Sequence, residues 1–226
     1  MKKTNIISSL ALIASVSILL AACGSDSDES IAVAAPTETT TVASPALNAD
    51  EIAGLLFMRE EEELARDLYL DIYAAKGNRL KTFKNISDKA ESKHAEAMRV
   101  LLEKYNIEDP STGQHDTYKD THLQNLYNNL LNVAVGSDDL AALRVGALVE
   151  ETDISDINAH KANVSADHQD IISSYESLLC GSRNHLRAFA GKIEDITGET
   201  YQTQVLALDT EVRAILSTDQ ERCGKQ

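Results

Sequence analysis

Basic side chains are scarce in this chain of 226 residues, where 21 Lys and Arg stand against 36 Asp and Glu for a formal net charge of -15. With no basic surface to displace counterions from a phosphate backbone, nucleic-acid binding is excluded. Three Pro and ten Gly rule out a collagenous or Pro-rich fibre. Three Cys are too few for a disulfide-dense scaffold. No Val/Ile/Thr-rich run of period two occurs, so strands are not expected, and no solenoid-type repeat is found. What is present is a chain that is 43% hydrophobic, with helical apolar spacing nearly throughout from Asn48 onward.

The first 22 residues are set apart from the fold. Lys2 and Lys3 precede an uncharged apolar run from Ile6 to Leu20, and Leu20-Ala21-Ala22-Cys23 closes it with small residues before a cysteine. This resembles a bacterial lipoprotein signal, which implies that residues 1–22 are removed and Cys23 is lipidated. Gly24 after that cysteine does not suggest inner-membrane retention, so the resemblance places the protein in the cell envelope outside the cytoplasm, at the outer membrane if the host has one. Residues 23–48 are rich in Ser, Thr, Asp, Ala and Pro and, lacking aromatics, read as a flexible tether. The body is so acidic that acyl chains, rather than charge, must hold it at an anionic bilayer.

The body, residues 49–220, divides into four long helical patterns. Asn48-Ala49-Asp50-Glu51 has the form of a capping box, and the first helix runs to about Lys76, stopped by Gly77-Asn78. The second is expected from Thr82 to Tyr105. A long connection follows, with a short helix around His122 to Leu131. The third starts on Ser137 as N-cap and ends near Lys161; the fourth spans about Ser165 to Ile196 before Gly198. Val205 to Leu216 forms a last amphipathic piece. Short links within each pair and a long one between pairs predict an all-α four-helix bundle with one long crossover and a short C-terminal helix.

Each helix carries a buried seam at three- and four-residue spacing. The seams read Leu55, Met58, Glu62, Ala65, Tyr69, Ile72; Ser87, Glu91, His94, Met98, Leu101, Tyr105; Leu140, Leu143, Ala147, Glu150, Ile154, Ile157; and Ile171, Tyr175, Leu178, Ser182, His185, Phe189, Ile193. All are apolar at both ends and polar near the middle. Carboxylates converging on one core cost several kcal/mol each unless a countercharge meets them, which a divalent metal can supply. Glu91 and His94 lie one turn apart on one face, so both reach one ion. A buried network in which Arg59 or Arg66 satisfies the carboxylates is the other arrangement compatible with this spacing. Glu60, Glu61 and Glu63 fall off the seam and are expected to be mostly exposed, and Glu151 sits about 100° away from it.

These residues resemble the rubrerythrin and ferritin-like di-iron proteins. Glu62-Glu63-Leu64-Ala65-Arg66-Asp67-Leu68-Tyr69, Glu91-Ser92-Lys93-His94-Ala95, Gly146 to Asp153 and Tyr175 to Phe189 match the family's four helices in turn. More narrowly, Phe57 to Glu62 and Ser182-Arg183-Asn184-His185-Leu186-Arg187-Ala188-Phe189 resemble a bacterial ferritin-like group labelled a domain of unknown function. The resemblance implies a metal site of Glu62, Glu91, His94, Glu150 and His185, holding one or two ions of iron or manganese. It also implies a protein acting on oxygen or peroxide, or handling iron. Two departures stand out: Ser182 replaces the fourth-helix Glu, and Ala147 replaces a further third-helix carboxylate. Ser182, Tyr69 and Arg183 are expected around the ligands, with Asn184 and Arg187 ordering His185 or the third-helix acids. No Cys-x-x-Cys pair supplies a built-in electron donor, so the donor is not identified. A helical envelope module with a degenerate site is the alternative function.

In an exported protein Cys180 and Cys223 are expected to pair. Closing that loop stabilises by about 4 kcal/mol in the chain-entropy model. His115, His122, His160 and His168 read as surface residues. A lipid tether disfavours a closed ferritin cage, while small homo-oligomers stay compatible with the sequence.

Overall fold

The computed structural model describes residues 46–224, all within one compact unit. The expected signal, Cys23 and nearly all of the tether lie outside the described residues. Asn48 opens the first helix, α1 (Ala49–Ala75), through the expected capping box: its side chain accepts from the Asp50 and Glu51 amides, and Glu51 accepts from the Asn48 amide at 2.7 Å. The helix ends where Gly77 and Asn78 take positive φ of 65° and 60°. A short α2 (Lys81–Ile86), a π-helical turn (Ser87–Glu91) and α3 (Ser92–Lys104) together occupy the second predicted helix. The crossover carries α4 (Thr121–Gly136); α5 (Asp139–Lys161) and α6 (Gln169–Thr197) follow, and a 3-10 turn (Leu206–Leu208) leads into α7 (Asp209–Leu216). Among the described residues there is no strand, and no helix is long and apolar enough to cross a membrane.

The protein is an all-α helical bundle. Helix α1 packs on α3, α3 on α6, α6 on α5 and α5 on α1, closing a ring around one core. The predicted seams line that core: Leu55, Met58, Tyr69, Met98, Ile157, Ile171, Tyr175 and Phe189 are all 1% exposed or less. At one end of the ring, Tyr69, Phe83 and Phe189 pack with centroids 4.9–5.4 Å apart.

Two local expectations are corrected. The N-cap of α5 is Asp138, whose carboxylate accepts from the Ala141 amide at 2.8 Å, not Ser137. The Ser137 carbonyl instead accepts from Lys76 Nζ at 2.6 Å. The second correction concerns Glu60, Glu61 and Glu63, which are buried at 3%, 5% and 8% exposure. Helix α4 packs on both α1 and α5 and so covers the face of α1 that a bare bundle would leave wet. The acids there tie down the crossover. Glu60 accepts from the Lys119 and Asp120 amides, Asp67 from the Asp116 amide and the Tyr118 hydroxyl, and Glu63 pairs with Arg59, which also reaches Asp109.

His168 is also not a surface residue. It is 2% exposed, and its Nδ1 lies 2.6 Å from Glu51 Oε1. The Ser165 amide donates to the same oxygen at 2.8 Å, so Glu51 pins the start of α1 to the α5–α6 link. His160 is half-buried and packs 5.3 Å from the Phe57 ring, whereas His115 and His122 are exposed. Burial works to raise the Glu51 pKa, but the Asn48 and Ser165 amides and His168 outweigh it and hold the carboxyl below its usual range. A carboxyl depressed on folding stabilises above its unfolded pKa, and that stability is lost as pH falls through the folded value. Glu51→Gln is expected to cost about 1–3 kcal/mol at pH 7. In denaturant titrations the gap to wild type should narrow below about pH 4; a gap unchanged by acid would contradict this role for the charge.

Candidate metal centre

Halfway along the ring the seams turn polar. Glu62 projects from α1, Glu91 from the end of the π-helical turn, His94 from α3, Glu150 from α5 and His185 from α6. The three carboxylates are 1–2% exposed, and His185 is 8% exposed. The π-helical turn delivers Glu91 and is fastened by the Ser87 hydroxyl, which donates to the Arg66 carbonyl at 2.9 Å. One extra residue per turn at this point re-aims the side chain that follows, a use of π turns common at functional sites.

Glu91 sits between the imidazoles. Its Oε2 lies 3.0 Å from His94 Nδ1, which is also 3.2 Å from Glu62 Oε2. Its Oε1 lies 2.9 Å from His185 Nδ1, which is 3.4 Å from Glu150 Oε2. The five residues thus form two groups that could hold a metal ion, Glu62–Glu91–His94 and Glu91–Glu150–His185. Within each, one candidate ligand atom per residue lies within 4.8 Å of the others, and Glu91 is common to both. The two imidazole rings are 5.8 Å apart.

Distance alone does not satisfy these groups. Glu62 Oε1, Glu91 Oε1 and His185 Nδ1 are buried without a hydrogen bond, although the last two are 2.9 Å apart. These polar atoms are therefore buried close together with their hydrogen-bonding capacity unspent. The alternative network through arginine is not formed. Arg59 is committed to Glu63 and Asp109, and Arg66 to Asp67 and Glu63. Burial lifts the Glu62 carboxyl to about 7, against the pull of His94, and raises Glu150 as well. Glu91, facing both imidazoles, is held below its usual range despite its burial. Burial works to lower both imidazole pKa values, but the carboxylates prevail and push His185 up to about 10.

Tyr69 and Ser182, expected around these residues, each hold a buried carboxylate. Tyr69 donates to Glu150 Oε1 at 2.5 Å and so fixes that carboxylate. Ser182 donates to the buried Asp153 and to the Leu178 carbonyl. Glu151 is fully buried but points away from the centre, accepting from the Tyr201 hydroxyl and the Gln204 and Val205 amides.

Comparison with known proteins places the chain. A family model described as an uncharacterized protein domain, DUF2202, matches residues 51–219. The chain belongs to that family. It is 38% identical over 177 residues to the uncharacterized protein MJ0754 of Methanocaldococcus jannaschii, covering 78% of this chain and 91% of that relative. A crystal structure of hypothetical protein MJ0754 from Methanococcus jannaschii superposes with a TM-score of 0.72 at 36% identity, over 80% of this chain and 100% of that one. The DUF2202 match spans the whole bundle, including all five residues of the two groups.

Within this DUF2202 chain, Arg183, Asn184 and Arg187 do not order His185 or the α5 acids. Arg183 pairs with Glu221 at 2.5 Å, Asn184 donates to the Glu221 carbonyl, and Arg187 reaches Glu221, Thr218 and the Ile215 carbonyl. They face outward from α6 and hold the C-terminal segment that a Cys180–Cys223 disulfide also joins. Their position next to His185 in sequence places them off its face by the helical rotation itself.

Sequence reasoning missed two neighbours of the centre. Asp153 is 7% exposed, and its Oδ1 has no hydrogen-bond partner. It lies three residues after Glu150, the spacing that links Glu91 to His94, and that repetition was the available signal. Gly181 is the other. A Cβ there would fall 2.4 Å from His94 Cε1 and 2.6 Å from Nε2, so α6 leaves room for the imidazole only because this residue is glycine. A glycine inside a long helix costs about 1 kcal/mol relative to Ala, and that cost was the clue. Gly181→Ala is expected to displace the His94 ring and destabilise by about 1–3 kcal/mol with helicity retained. The readout is the His94 ring resonances in an NMR spectrum; if they do not move, the close approach is not a constraint.

Proposed function

We propose that this protein is a ferritin-like metal protein of the cell envelope, holding one or two ions of iron or manganese between Glu62, Glu91, His94, Glu150 and His185. Glu91 carries the reading: it is buried, and its two oxygens face two different imidazole–carboxylate pairs. A carboxylate shared in this way suits two cations side by side. The mixed oxygen and nitrogen donors suit iron or manganese. Three carboxylates would offset all but one of the four positive charges of two divalent ions.

Bound there, such ions supply redox chemistry toward dioxygen or peroxide, or a resting place for iron in transit. The chain's own contribution is geometric. Tyr69 holds Glu150, Ser182 holds Asp153, and apolar seams above and below keep bulk water out. Electrons would come from a separate donor. The Cys180–Cys223 disulfide favours an oxidising compartment, which accords with the tether expected through Cys23.

The test is metal content of the full chain expressed with iron and manganese supplied. One to two ions per chain are expected, falling to near zero in Glu91→Ala and to about half in His185→Ala. Wild-type protein without metal, melting at the same temperature with and without added iron, would instead favour a degenerate site in a helical binding module. Separately, Cys23→Ser is expected to move the protein from the membrane fraction to the soluble fraction, and retention at the membrane would remove the lipid anchor from this reading.

A further inference from the structure

Past Leu216 the chain has nothing to offer the core. From Ser217 to Gly224 no aliphatic or aromatic residue occurs, and every residue except the half-buried Glu221 is exposed. The segment nevertheless lies along the outer face of α6, held by two hooks. The polar hook is Glu221. Its carboxylate accepts from Arg183 Nε at 2.7 Å and from Arg187 at 3.0 Å. Its amide donates to Asn184 Oδ1 at 2.8 Å, and its carbonyl accepts from Asn184 Nδ2 at 3.0 Å. The covalent hook is the Cys180–Cys223 disulfide, and Asn184 Nδ2 also donates to the Cys223 sulfur at 3.2 Å. Helix α7 needs neither hook. Val212 and Ile215 are buried, and Arg187 Nε donates to the Ile215 and Thr218 carbonyls at 3.1 Å. The segment that depends on the hooks is therefore residues 219–224.

The polar hook is weak by itself. The Arg183 and Glu221 side chains are 24% and 33% exposed, and ion pairs this wet return less than the ordering of several residues costs. The disulfide changes that balance by making capture of Glu221 intramolecular. It is also open to attack. Both cysteines line a cleft of about 530 Å³ together with Ser173, Ser177 and Arg183. Cys223 is exposed and Cys180 half-buried. Exposed disulfides are the labile and regulatory kind, whereas purely structural ones resist thiols.

We propose that Cys180–Cys223 is a thiol–disulfide exchange site for a dithiol reductant, and that its redox state latches or releases residues 219–224. A thiolate of the reductant attacks the exposed Cys223 sulfur. A new S–S bond forms there, the bond to Cys180 breaks, and Cys180 leaves as a thiolate that takes up a proton. The second thiol of the reductant, deprotonated, then displaces the Cys223 sulfur, which is protonated in turn. The reductant ends as a disulfide and the protein as a dithiol, so two electrons and two protons have moved. Arg183 stands one turn along α6 from Cys180 and lines the same cleft, offering the departing thiolate a positive charge. With the covalent link gone, Glu221 comes away and bares Arg183 and Asn184. A disulfide oxidant runs the exchange backwards. No metal takes part in these steps.

The experiment treats the folded full chain with dithiothreitol in native buffer. Peptide mapping follows Cys180 and Cys223, circular dichroism follows helicity, and NMR follows amide exchange. Reduction is expected about tenfold or more faster than global unfolding, with helicity retained. The Glu221 amide should then exchange about tenfold or more faster while the α7 amides keep their protection. Replacing the reductant with oxidised glutathione should restore the Glu221 amide. The double variant Cys180→Ser/Cys223→Ser should show the fast Glu221 exchange with no reductant added. Reduction no faster than unfolding would overturn the proposal, and so would Glu221 protection that survives reduction. Loss of protection in α7 together with Glu221 would overturn it as well, by making the disulfide a staple of the whole C-terminal region.

Discussion

The rest of this structure is arranged around one electrostatic problem, which is negative charge gathered inside a dry bundle. Glu62, Glu91, Glu150 and Asp153 lie at the middle of the helical ring with exposures of 1–7%, and no arginine or lysine among the described residues pairs with them. Burial of even one unpaired carboxylate costs enough to threaten a domain of ordinary stability. Two imidazoles lie among the four acids, and the carboxylates raise the pKa of both against the effect of burial. The long apolar seams on either side supply the stability that makes the arrangement tolerable. Phe189, Tyr69 and Phe83 close one end and Tyr175 and Ile171 lie toward the other, so the polar layer is confined to the middle of the core.

The crossover has a larger part in this than its irregular sequence suggests. Glu60 and Asp67 hold its backbone amides and the Tyr118 hydroxyl, Arg59 reaches its Asp109, and α4 is thereby laid over α1 and α5. The same placement buries Glu61 and removes solvent from one flank of the centre. The opposite outer face of α6 is managed differently, by Arg183 and Arg187 gripping Glu221 and by the disulfide to Cys223. Both devices stiffen helices that carry polar groups inward, where packing alone would be weaker than in an all-apolar core.

Helical period carried most of what was legible in the sequence. Every seam residue between Leu143 and Ile157, and between Ile171 and Ile193, is buried as its spacing requires, because a bundle helix has one inward face and a fixed rotation per residue. The same rule fails wherever a second layer exists. Nothing in the period of α1 says that a later segment will cover its outer face, so Glu60, Glu61 and Glu63 look like a solvated run. His168 was unreadable for a related reason: it sits at a helix start, and its burial depends on Glu51, more than a hundred residues away. Gly181 and Asp153 were visible in principle, since each breaks a local preference that only a tertiary contact compensates.

The two halves of the bundle show why Asp153 belongs to the centre's account. In the first half Glu62 is followed three residues later by Ala65, and His94 is preceded three residues earlier by Glu91. In the second half Glu150 is followed by Asp153, and His185 is preceded by Ser182. The halves therefore bring the same inventory, two carboxylates and one imidazole, but the second has moved one acid from α6 to its neighbour α5. Ser182 marks the exchange, because the hydroxyl standing where the first half has Glu91 donates to the acid that replaces it. The displaced carboxylate is shorter and is held by Ser182 rather than between the imidazoles. Charge is conserved while symmetry is lost. Glu91 alone stands between the two imidazoles, and Asp153 stays with Ser182.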